Sequence, residues 1–298
     1  ACAMVEGSSL TKDSVMTLHC AFIGFGKSTT RYHLPYVLHR KDRWQVAHIY
    51  RRRAKPEEQA PQYSHIHFTS DLDEVLNDPL VKLVVVCTHA DSHFEYAKKA
   101  LEAGKNVLVE KPFTPTLEEA KTLFALANSK GLTVTPYQNR RFDSCFLTTK
   151  KVIESGKLGE LVEIESHFDN YRPLAETNPG GPQNGEFYGL GVHTLDQIIS
   201  LFGRPDHVSY DLRSLRNKAN PDDTFEAQLF YGDMKAIVKT SHLVQIDYPK
   251  FIVHGHKGSF VKYGIDQQET SLKANVMPGE PGFGADDSVG EQIGRAHV

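Results

Sequence analysis

The sequence predicts an α/β protein with two domains: an N-terminal Rossmann-type parallel sheet, and a C-terminal α+β domain with a mostly antiparallel sheet. The chain has 298 residues, a length typical of two domains. As far as Tyr137, short apolar runs alternate with segments that carry helix-capping signals, which is the pattern of βαβ units. Beyond Tyr137, apolar and polar residues alternate with a period of two, as in a sheet with one solvated face.

The first predicted strand covers residues 20–23 and runs into a glycine turn at residues 24–26. A helix is predicted after the turn, because Leu34 and Leu38 recur on one helical face. A second strand is predicted over residues 46–50. Strand, glycine turn, helix and strand in this order form the first βαβ unit.

Three further helices are bracketed by residues with N-cap and N3 spacing. The pairs are Asp71 with Glu74, Ser92 with Glu95, and Thr116 with Glu119. Between these helices lie continuous apolar runs, as expected for buried parallel strands. The runs cover residues 83–87, 106–109 and 132–135. The first domain, which we expect to bind a dinucleotide, is therefore predicted over residues 17–137.

The second predicted domain covers residues 138–290, and we expect it to bind the substrate and to form oligomer contacts. Its predicted strands cover residues 162–168, 227–231, 236–241 and 251–253. Residues 171–185 are rich in Pro, Gly and Asn, so they predict a long loop, a common place for substrate contacts.

Both ends of the sequence differ from the rest. Residues 1–15 are small and polar without a pattern, and we expect them to be a non-native or disordered leader before a natural start at Met16. Residues 292–298 are similar to a tail that a sequencing adapter would encode, and we expect them to be an artefact. The second domain is accordingly expected to be truncated near Gly290.

The composition argues against several classes of protein. There are 34 Lys+Arg and 37 Asp+Glu, a formal net charge of -3, which argues against a nucleic-acid-binding protein. No apolar run approaches the roughly 18 residues of a membrane span, and no signal peptide pattern opens the chain, so a cytoplasmic protein is predicted. The 4 cysteines form no CxxC pair and the 15 histidines bring no clear third ligand, so we expect free thiols and no metal site.

The glycine turn fits two phosphate-binding motifs. In a dinucleotide fingerprint Thr29 takes the place of the third glycine, whereas in the phosphate loop of an NTPase Gly26 begins the GKS core. The phosphate loop needs a glycine at the position of Ala21 and a loop where the sequence predicts a strand, so the dinucleotide fingerprint is favoured. The predicted cofactor contacts in the turn are Gly24, Phe25, Gly26, Lys27, Ser28 and Thr29.

The residues after the second strand favour NADP over NAD. An NAD site usually has an acidic residue there, but here three arginines at positions 51–53 follow Tyr50. A guanidinium group can bind a 2′-phosphate in bidentate geometry, whereas a carboxylate would repel it. Arg51 and Arg52 are therefore predicted to bind NADP.

Motifs at the ends of later strands resemble one known family. Strand 106–109 runs into the sequence EKP, which places Lys111 at the carboxyl end of a parallel strand, where α/β sheets bind ligands. The preceding strand is followed by CTHADSH at 87–93, and the second domain contains GLGVHTLD at 189–196. In this combination the chain resembles the glucose-fructose oxidoreductase and inositol dehydrogenase family, Gfo/Idh/MocA. The sequence YQNRRFD at 137–143 resembles its branch of NADP-dependent scyllo-inositol dehydrogenases.

The resemblance implies hydride transfer between a nicotinamide cofactor and a polyol, cyclitol or sugar-like substrate, in a homo-oligomer. Lys111 and His193 match the family's catalytic positions around the reacting hydroxyl, and a lysine whose pKa is lowered by burial can take the hydroxyl proton. The further implied cofactor contacts are Thr88, His89, His93, Glu110 and Lys111. The implied substrate contacts are Lys111, Asn139, Arg140, Tyr188 and His193. The pair Arg140-Arg141 is compatible with a substrate anion site, although salt bridges across the domain boundary are favoured.

The sequence departs from the family pattern beside His193. The family carries an aspartate four residues before this histidine, where the sequence has Gly189, and the family's glycine run is replaced by GEFY at 185–188. Tyr188 or Asp196 could supply the missing group. Because a substrate hydroxyl would otherwise lose its acceptor, a second hypothesis remains open: a non-catalytic NADP(H)-binding redox sensor.

Overall fold

The computed structural model describes residues 17–294, which contain two separate sheets, each with its own helices. The strands of the first domain are β1 (Leu18–Ile23), β2 (Trp44–Tyr50), β3 (His67–Thr69), β4 (Val81–Val86), β5 (Asn106–Val109) and β6 (Val134–Pro136). They are parallel and lie in the order β3-β2-β1-β4-β5-β6. The helices are α1 (Leu34–His39), α2 (Leu72–Asn77), α3 (His93–Glu102) and α4 (Leu117–Ser129). The winding reverses between β1 and β4, and ligands of such sheets bind beyond the carboxyl ends of the strands at that point.

Strand β1 is apolar without interruption because both of its faces are buried. Ala21 and Ile23 face a core that includes side chains of α3 and α4, whereas Cys20 and Phe22 face a core that includes Leu34 of α1. The strand occupies residues 20–23, where the phosphate loop of an NTPase would require a loop. The structure therefore excludes that alternative.

The second domain is built on a seven-stranded sheet. Its strands are β7 (Leu161–His167), β8 (His207–Arg213), β9 (Thr224–Tyr231), β10 (Met234–Ser241), β11 (Phe251–Gly255), β12 (Gly258–Lys262) and β13 (Gly290–Gly294). They lie in the order β13-β12-β11-β7-β10-β9-β8, and all neighbouring pairs are antiparallel except β7 with β10. The helices are α5 (Ser144–Glu154), α6 (Val192–Phe202) and α7 (Gln268–Lys273). Phe146 of α5 and Ile198 of α6 pack with the buried face of the sheet.

The predicted helix caps are partly confirmed. Thr116 and Glu119 form a complete capping box, in which each side chain bonds to the backbone of the other residue. The side chain of Asp71 accepts a hydrogen bond from the first turn of its helix. Ser92 is the N-cap residue of α3, as predicted, but its side chain does not cap the helix, because its hydroxyl donates to the carbonyl of His89 instead.

Four strands were not predicted from the sequence: β3, at the edge of the first sheet, and β8, β12 and β13, which lie at or next to the edges of the second sheet. Strands β8 and β13 are exposed along their whole length, so no buried apolar face marks them strongly. The alternation of Val208, Tyr210 and Leu212 was the available signal for β8. Residues 292–294 of the predicted artefactual tail pair with β12. The predicted leader, residues 1–15, and the remainder of the tail lie outside the described residues.

Three other predictions concern a long loop, the cysteines and membrane-spanning helices. The loop over residues 171–185 is present and contains only a short 3₁₀ turn, Pro182–Asn184. Cys20, Cys87 and Cys145 are free and buried, as predicted. No helix within residues 17–294 has the length and the apolar content needed to cross a membrane.

Gly24, at the end of β1, is the position where the turn depends most on the absence of a side chain. Its φ is +108°, and a Cβ on it would lie 2.6 Å from the carbonyl oxygen of Cys87. A Cβ on Gly26 would have no atom within 4 Å, so Gly26→Ala is the matched control. We expect Gly24→Ala to lower the free energy of unfolding by about 1–3 kcal/mol, and Gly26→Ala to change it by less than about 0.5 kcal/mol. Equal effects in urea denaturation of the two apo variants would contradict this explanation of the turn.

Candidate active site

A cleft of about 680 Å³ opens beyond the carboxyl ends of β1, β2 and β4. The glycine turn forms one wall, and the residues that follow β2 and β4 form the others. This glycine-turn cleft contains most of the predicted cofactor contacts. They are Gly24, Phe25, Gly26, Lys27, Ser28, Arg51, Arg52, Thr88 and His89.

Two predicted cofactor contacts lie beneath the glycine-turn cleft. Thr29 is buried, and its hydroxyl donates to the carbonyl of Gly24 at 2.8 Å, which closes the turn from inside. His93 is also buried, with one ring nitrogen 2.8 Å from the carbonyl oxygen of Pro112 and the other 3.1 Å from that of Thr88. Both residues support the walls of the cleft and do not line it, and their contact with the cofactor stays a prediction.

The three arginines after β2 differ in their partners. Nε and Nη2 of Arg51 donate to the two carboxylate oxygens of Glu58 at 2.7 and 2.9 Å. Both side chains are largely buried, and the bond from Arg51 lowers the pKa of Glu58. Arg52 and Arg53 also line the cleft, but they are exposed and have no ionic partner within residues 17–294. Glu58 occupies the Nε and Nη2 donors of Arg51, so the predicted cofactor contact of Arg51 stays a prediction, and Arg52 and Arg53 present the guanidinium groups without an ionic partner.

A second cleft, of about 990 Å³, lies between the two domains. The predicted site residues Lys111, Asn139, Arg140 and His193 line this interdomain cleft. Tyr188 is not among its lining residues, so the predicted substrate contact of Tyr188 has no support from the cleft.

Glu110 is a buried carboxylate that joins the glycine turn to Lys111. Its Oε1 accepts hydrogen bonds from Nε2 of His33, at 2.9 Å, and from the hydroxyl of Ser28. Its Oε2 accepts a hydrogen bond from the backbone amide of Lys111 at 3.0 Å. Burial alone would raise the pKa of Glu110, but these hydrogen bonds outweigh burial and hold the pKa below its ordinary value. Glu110 lines the interdomain cleft rather than the glycine-turn cleft, where it was predicted.

The side chain of Lys111 crosses the domain boundary. Its Nζ donates to the carbonyl oxygen of Gly189 at 2.9 Å. Burial lowers the pKa of Lys111, and the positive charge of Arg140 lowers it further. Three carboxylates oppose these effects: Glu110, Glu186 and Glu269. The net result is a lysine whose pKa lies below its ordinary value, so its neutral form is easier to reach.

His193, on α6, is held as a neutral imidazole. The residue is only 4% exposed, and burial lowers its pKa well below the ordinary value. The positive charges of Lys111, Arg140 and Lys250 act in the same direction. Its Nδ1 has no hydrogen-bond partner within the described residues. A buried polar atom without a partner is costly, and a ligand in the cleft could satisfy it.

Both arginines of the Arg140-Arg141 pair bind carboxylates, although Nε of Arg140 is buried without a hydrogen-bond partner within residues 17–294. Arg140 forms salt bridges with Asp143 and Glu269, both at 3.1 Å. Arg141 binds both carboxylate oxygens of Asp196 at 2.7 Å. Both arginines therefore form salt bridges, but the prediction that these cross the domain boundary is wrong, because all three partners lie in the second domain. Because Asp196 is occupied in this way, it is also a poor replacement for the missing aspartate at position 189.

Tyr32 and Glu269, which line the interdomain cleft, form a contact that was not predicted from the sequence. The hydroxyl of Tyr32, in the first domain, donates to Oε1 of Glu269, in the second, at 2.9 Å. Burial opposes ionisation of Glu269, but hydrogen bonds from Lys273 and Tyr32 and the charge of Arg140 lower its pKa to about 2. No local motif marks this contact, because the two residues are far apart in the sequence.

One group of possible metal ligands is present among residues 17–294. Donor atoms of His33, Cys87 and Glu110 lie within 4.8 Å of one another. The first and last of these already hydrogen-bond to each other, and burial raises the pKa of the Cys87 thiol. A raised pKa disfavours the thiolate that binds metals. The expectation of no metal site stays a prediction.

Comparison with known proteins gives consistent matches in both domains. The model of an oxidoreductase family with an NAD-binding Rossmann fold (GFO_IDH_MocA) matches residues 18–138, and that of the family's C-terminal alpha/beta domain matches residues 150–294. An oxidoreductase of Escherichia coli named as uncharacterized, YhhX, is 88% identical over 275 residues, which are 92% of this chain and 80% of YhhX.

Of two further relatives, one has a named activity and the other has a crystal structure. The scyllo-inositol 2-dehydrogenase (NADP(+)) IolW of Bacillus subtilis is 36% identical over 275 residues, which are 91% of this chain and 76% of IolW. The crystal structure of an oxidoreductase from Bacillus cereus has a TM-score of 0.88 at 48% identity, covering 94% of this chain and 85% of that chain. The matches agree with the motifs and with their arrangement around two adjoining clefts. This chain therefore belongs to the Gfo/Idh/MocA family of NAD(P)-dependent oxidoreductases.

Proposed function

We propose that this protein is an NADP(H)-dependent dehydrogenase that transfers hydride between the cofactor and a neutral polyol, cyclitol or sugar-like substrate. The observation that carries the proposal is the position of Lys111. This lysine has a lowered pKa, lies in the cleft between the domains and is joined through Glu110 to the glycine turn. A positioned amine with these properties suits proton exchange with an alcohol.

The charges of the glycine-turn cleft support NADP(H) as the cofactor. The residues that line it include Lys27, Arg52 and Arg53, and none of its described lining residues is acidic. Gly24 allows close backbone approach at the turn, as a bound pyrophosphate requires. The exposed guanidinium groups of Arg52 and Arg53 suit a 2′-phosphate. The bound nicotinamide would supply or accept the hydride.

Oxidation of a secondary alcohol removes two hydrogens in different forms. The carbon loses a hydride with its electron pair, and the hydroxyl proton passes to the neutral amine of Lys111. In the reverse direction the Lys111 ammonium returns the proton to the carbonyl oxygen. The neutral imidazole of His193 is suited to hydrogen-bond the same oxygen.

The proposal of a neutral substrate rests on the occupied arginines. Arg140 and Arg141 both form salt bridges with carboxylates. Of the cations Lys111, Arg140 and Arg141, Lys111 is therefore the one that a substrate can approach. Asn139 lines the same cleft, and its side-chain amide suits hydroxyl groups. The activity printed for IolW, on scyllo-inositol, supports a cyclitol among the candidate substrates.

A first prediction concerns cofactor preference. If Arg52 binds the 2′-phosphate, Arg52→Ala should weaken NADPH binding about tenfold or more, because a charge-assisted bond is lost, and should leave NADH binding nearly unchanged. Arg43→Ala removes an exposed arginine outside the cleft and is the matched control. Arg51→Ala should instead lower stability by about 3 kcal/mol, since it leaves Glu58 buried and unpaired. Fluorescence titration measures both cofactors, and an unchanged ratio of NADPH to NADH affinity in Arg52→Ala would overturn the assignment.

A second prediction tests the function itself. We expect NADP reduction with at least one member of a polyol and sugar panel that includes scyllo-inositol. Lys111→Ala should lower kcat by about 100- to 10,000-fold and leave the Kd for NADPH nearly unchanged. Lys121→Ala, which removes an exposed lysine, is the matched control.

The pH dependence of oxidation gives a separate readout. Oxidation needs neutral Lys111, so kcat/KM should rise with pH and level off above the pKa of Lys111, which lies below the usual lysine value of about 10.4. This limb should disappear in Lys111→Ala. Turnover that survives unchanged in Lys111→Ala would contradict the mechanism. Tight NADPH binding without turnover on any substrate would favour the redox-sensor hypothesis.

A further inference from the structure

The carboxylate of Glu186 occupies the space beside Gly189. Its Oε2 lies 3.1 Å from the position that a Cβ on Gly189 would take. Its Oε1 lies 3.2 Å from Nε2 of the buried His242. A side chain at position 189 would therefore point toward the volume that the Glu186 carboxylate already fills.

The backbone turn before α6 brings residue 186 to this place. The Glu186 amide donates to the carbonyl of Asp222 at 2.9 Å, and the Asp222 carboxylate accepts the amide of Phe187 at 2.7 Å. The Gly189 amide donates to the carbonyl of Gly185 at 2.9 Å, which closes one helical turn around Glu186. Because residues three apart on such a turn are neighbours, the side chain of Glu186 lies beside Gly189.

Glu186 is charged and its Oε2 is available. Burial alone would raise its pKa, but the contact with His242 and the charges of Lys111 and Arg216 outweigh burial and lower it. The side chain is 28% exposed, and Oε2 has no hydrogen-bond donor within residues 17–294. An ionised carboxylate oxygen without a donor is suited to accept a hydrogen bond from a hydroxyl group.

The same turn also holds Lys111. The carbonyl of Gly189 accepts the hydrogen bond from Nζ of Lys111, so Glu186 and Lys111 meet at one residue. Each of these two side chains also favours the charged form of the other. Glu186 itself is not among the residues that line the interdomain cleft, but its side chain is partly exposed beside the residue that holds Lys111. A substrate alcohol at Lys111 would therefore have an anionic acceptor near it.

We propose that Glu186 is the specificity-determining carboxylate of this site, and that it accepts a hydrogen bond from a substrate hydroxyl next to the one that reacts at Lys111. The inference rests on the proposed function. It explains how a chain with Gly189 retains a carboxylate beside Lys111, because the group comes from one turn earlier. Polyols with neighbouring hydroxyl groups are the substrate class that this arrangement selects.

Substitution at the two positions tests the proposal through opposite effects. Glu186→Gln keeps the shape and removes the charge, so it should raise KM for the polyol roughly tenfold to a hundredfold and leave the Kd for NADPH unchanged. Gly189→Asp should impair the native enzyme, since its Cβ and charge would crowd Glu186. The same substitution in a Glu186→Ala background should restore activity, because the carboxylate returns to the vacated space. Glu154→Gln, which changes an exposed carboxylate on α5 outside both clefts, is the matched control.

The pH profile separates this role from a purely structural one. Glu186, Glu110 and Glu269 raise the pKa of Lys111, and Arg140 lowers it, with neutral His193 nearby. Removing one of the three carboxylates should lower that pKa, so the rising limb of kcat/KM should move to lower pH in Glu186→Gln. An active native enzyme with an unchanged KM and profile in Glu186→Gln would overturn this inference alone. A native enzyme that binds NADPH but oxidises no polyol would instead overturn the proposed function.

Discussion

The buried carboxylate of Glu110 is the group on which both clefts depend. An ionised carboxylate is costly to bury unless each oxygen has hydrogen-bond donors. Glu110 satisfies this requirement with Ser28 and His33 on the side of the glycine turn, and with the amide of Lys111 on the side of the interdomain cleft. A shift of either wall would break one of these bonds, so the glycine turn and the lysine are held in fixed relation. The adjoining positions of the two clefts follow from this one group.

The charges around Lys111 decide what the second cleft can do. Arg140 is neutralised by Asp143 and Glu269, so it lowers the pKa of Lys111 without serving as a site for anions. Burial then outweighs the remaining carboxylates and favours the neutral amine. Glu186 adds an anionic acceptor at the same place. A neutral substrate with several hydroxyl groups is the class that matches this combination of a weakened base and hydrogen-bond acceptors.

Distance along the chain explains which features the sequence could predict. The βαβ order, the capping box at Thr116 and the place of Lys111 at a strand end depend on residues close in sequence, and they were found. The contact of Tyr32 with Glu269 spans 237 positions, so no local pattern reports it. Glu58 lies only seven residues after Arg51, yet a glutamate in a charged segment usually indicates a solvated loop, and its burial appears only in the fold.

The site beside His193 shows a different limit of sequence reasoning. Comparison with the family pattern finds Gly189 at the position of the family's aspartate. Tyr188 and Asp196 were therefore considered as residues that could replace this aspartate. The structure assigns Asp196 to Arg141 and brings Glu186 to the space instead. Residues 186 and 189 are three positions apart in the helical segment that leads into α6, so their side chains are neighbours on one face. Position 186 was not considered, because the family pattern places its carboxylate at position 189.

The most direct test of the central claim is to follow the hydride itself. NADPH deuterated at C4, in each stereochemical form, would be incubated with the protein and a panel of cyclitol and sugar ketones, and the products analysed by mass spectrometry. We predict that one form transfers deuterium to the carbonyl carbon of a polyol product, and that Lys111→Ala does not transfer it at a comparable rate. Saturating NADPH binding without deuterium in any product would contradict the account of this protein as a polyol dehydrogenase.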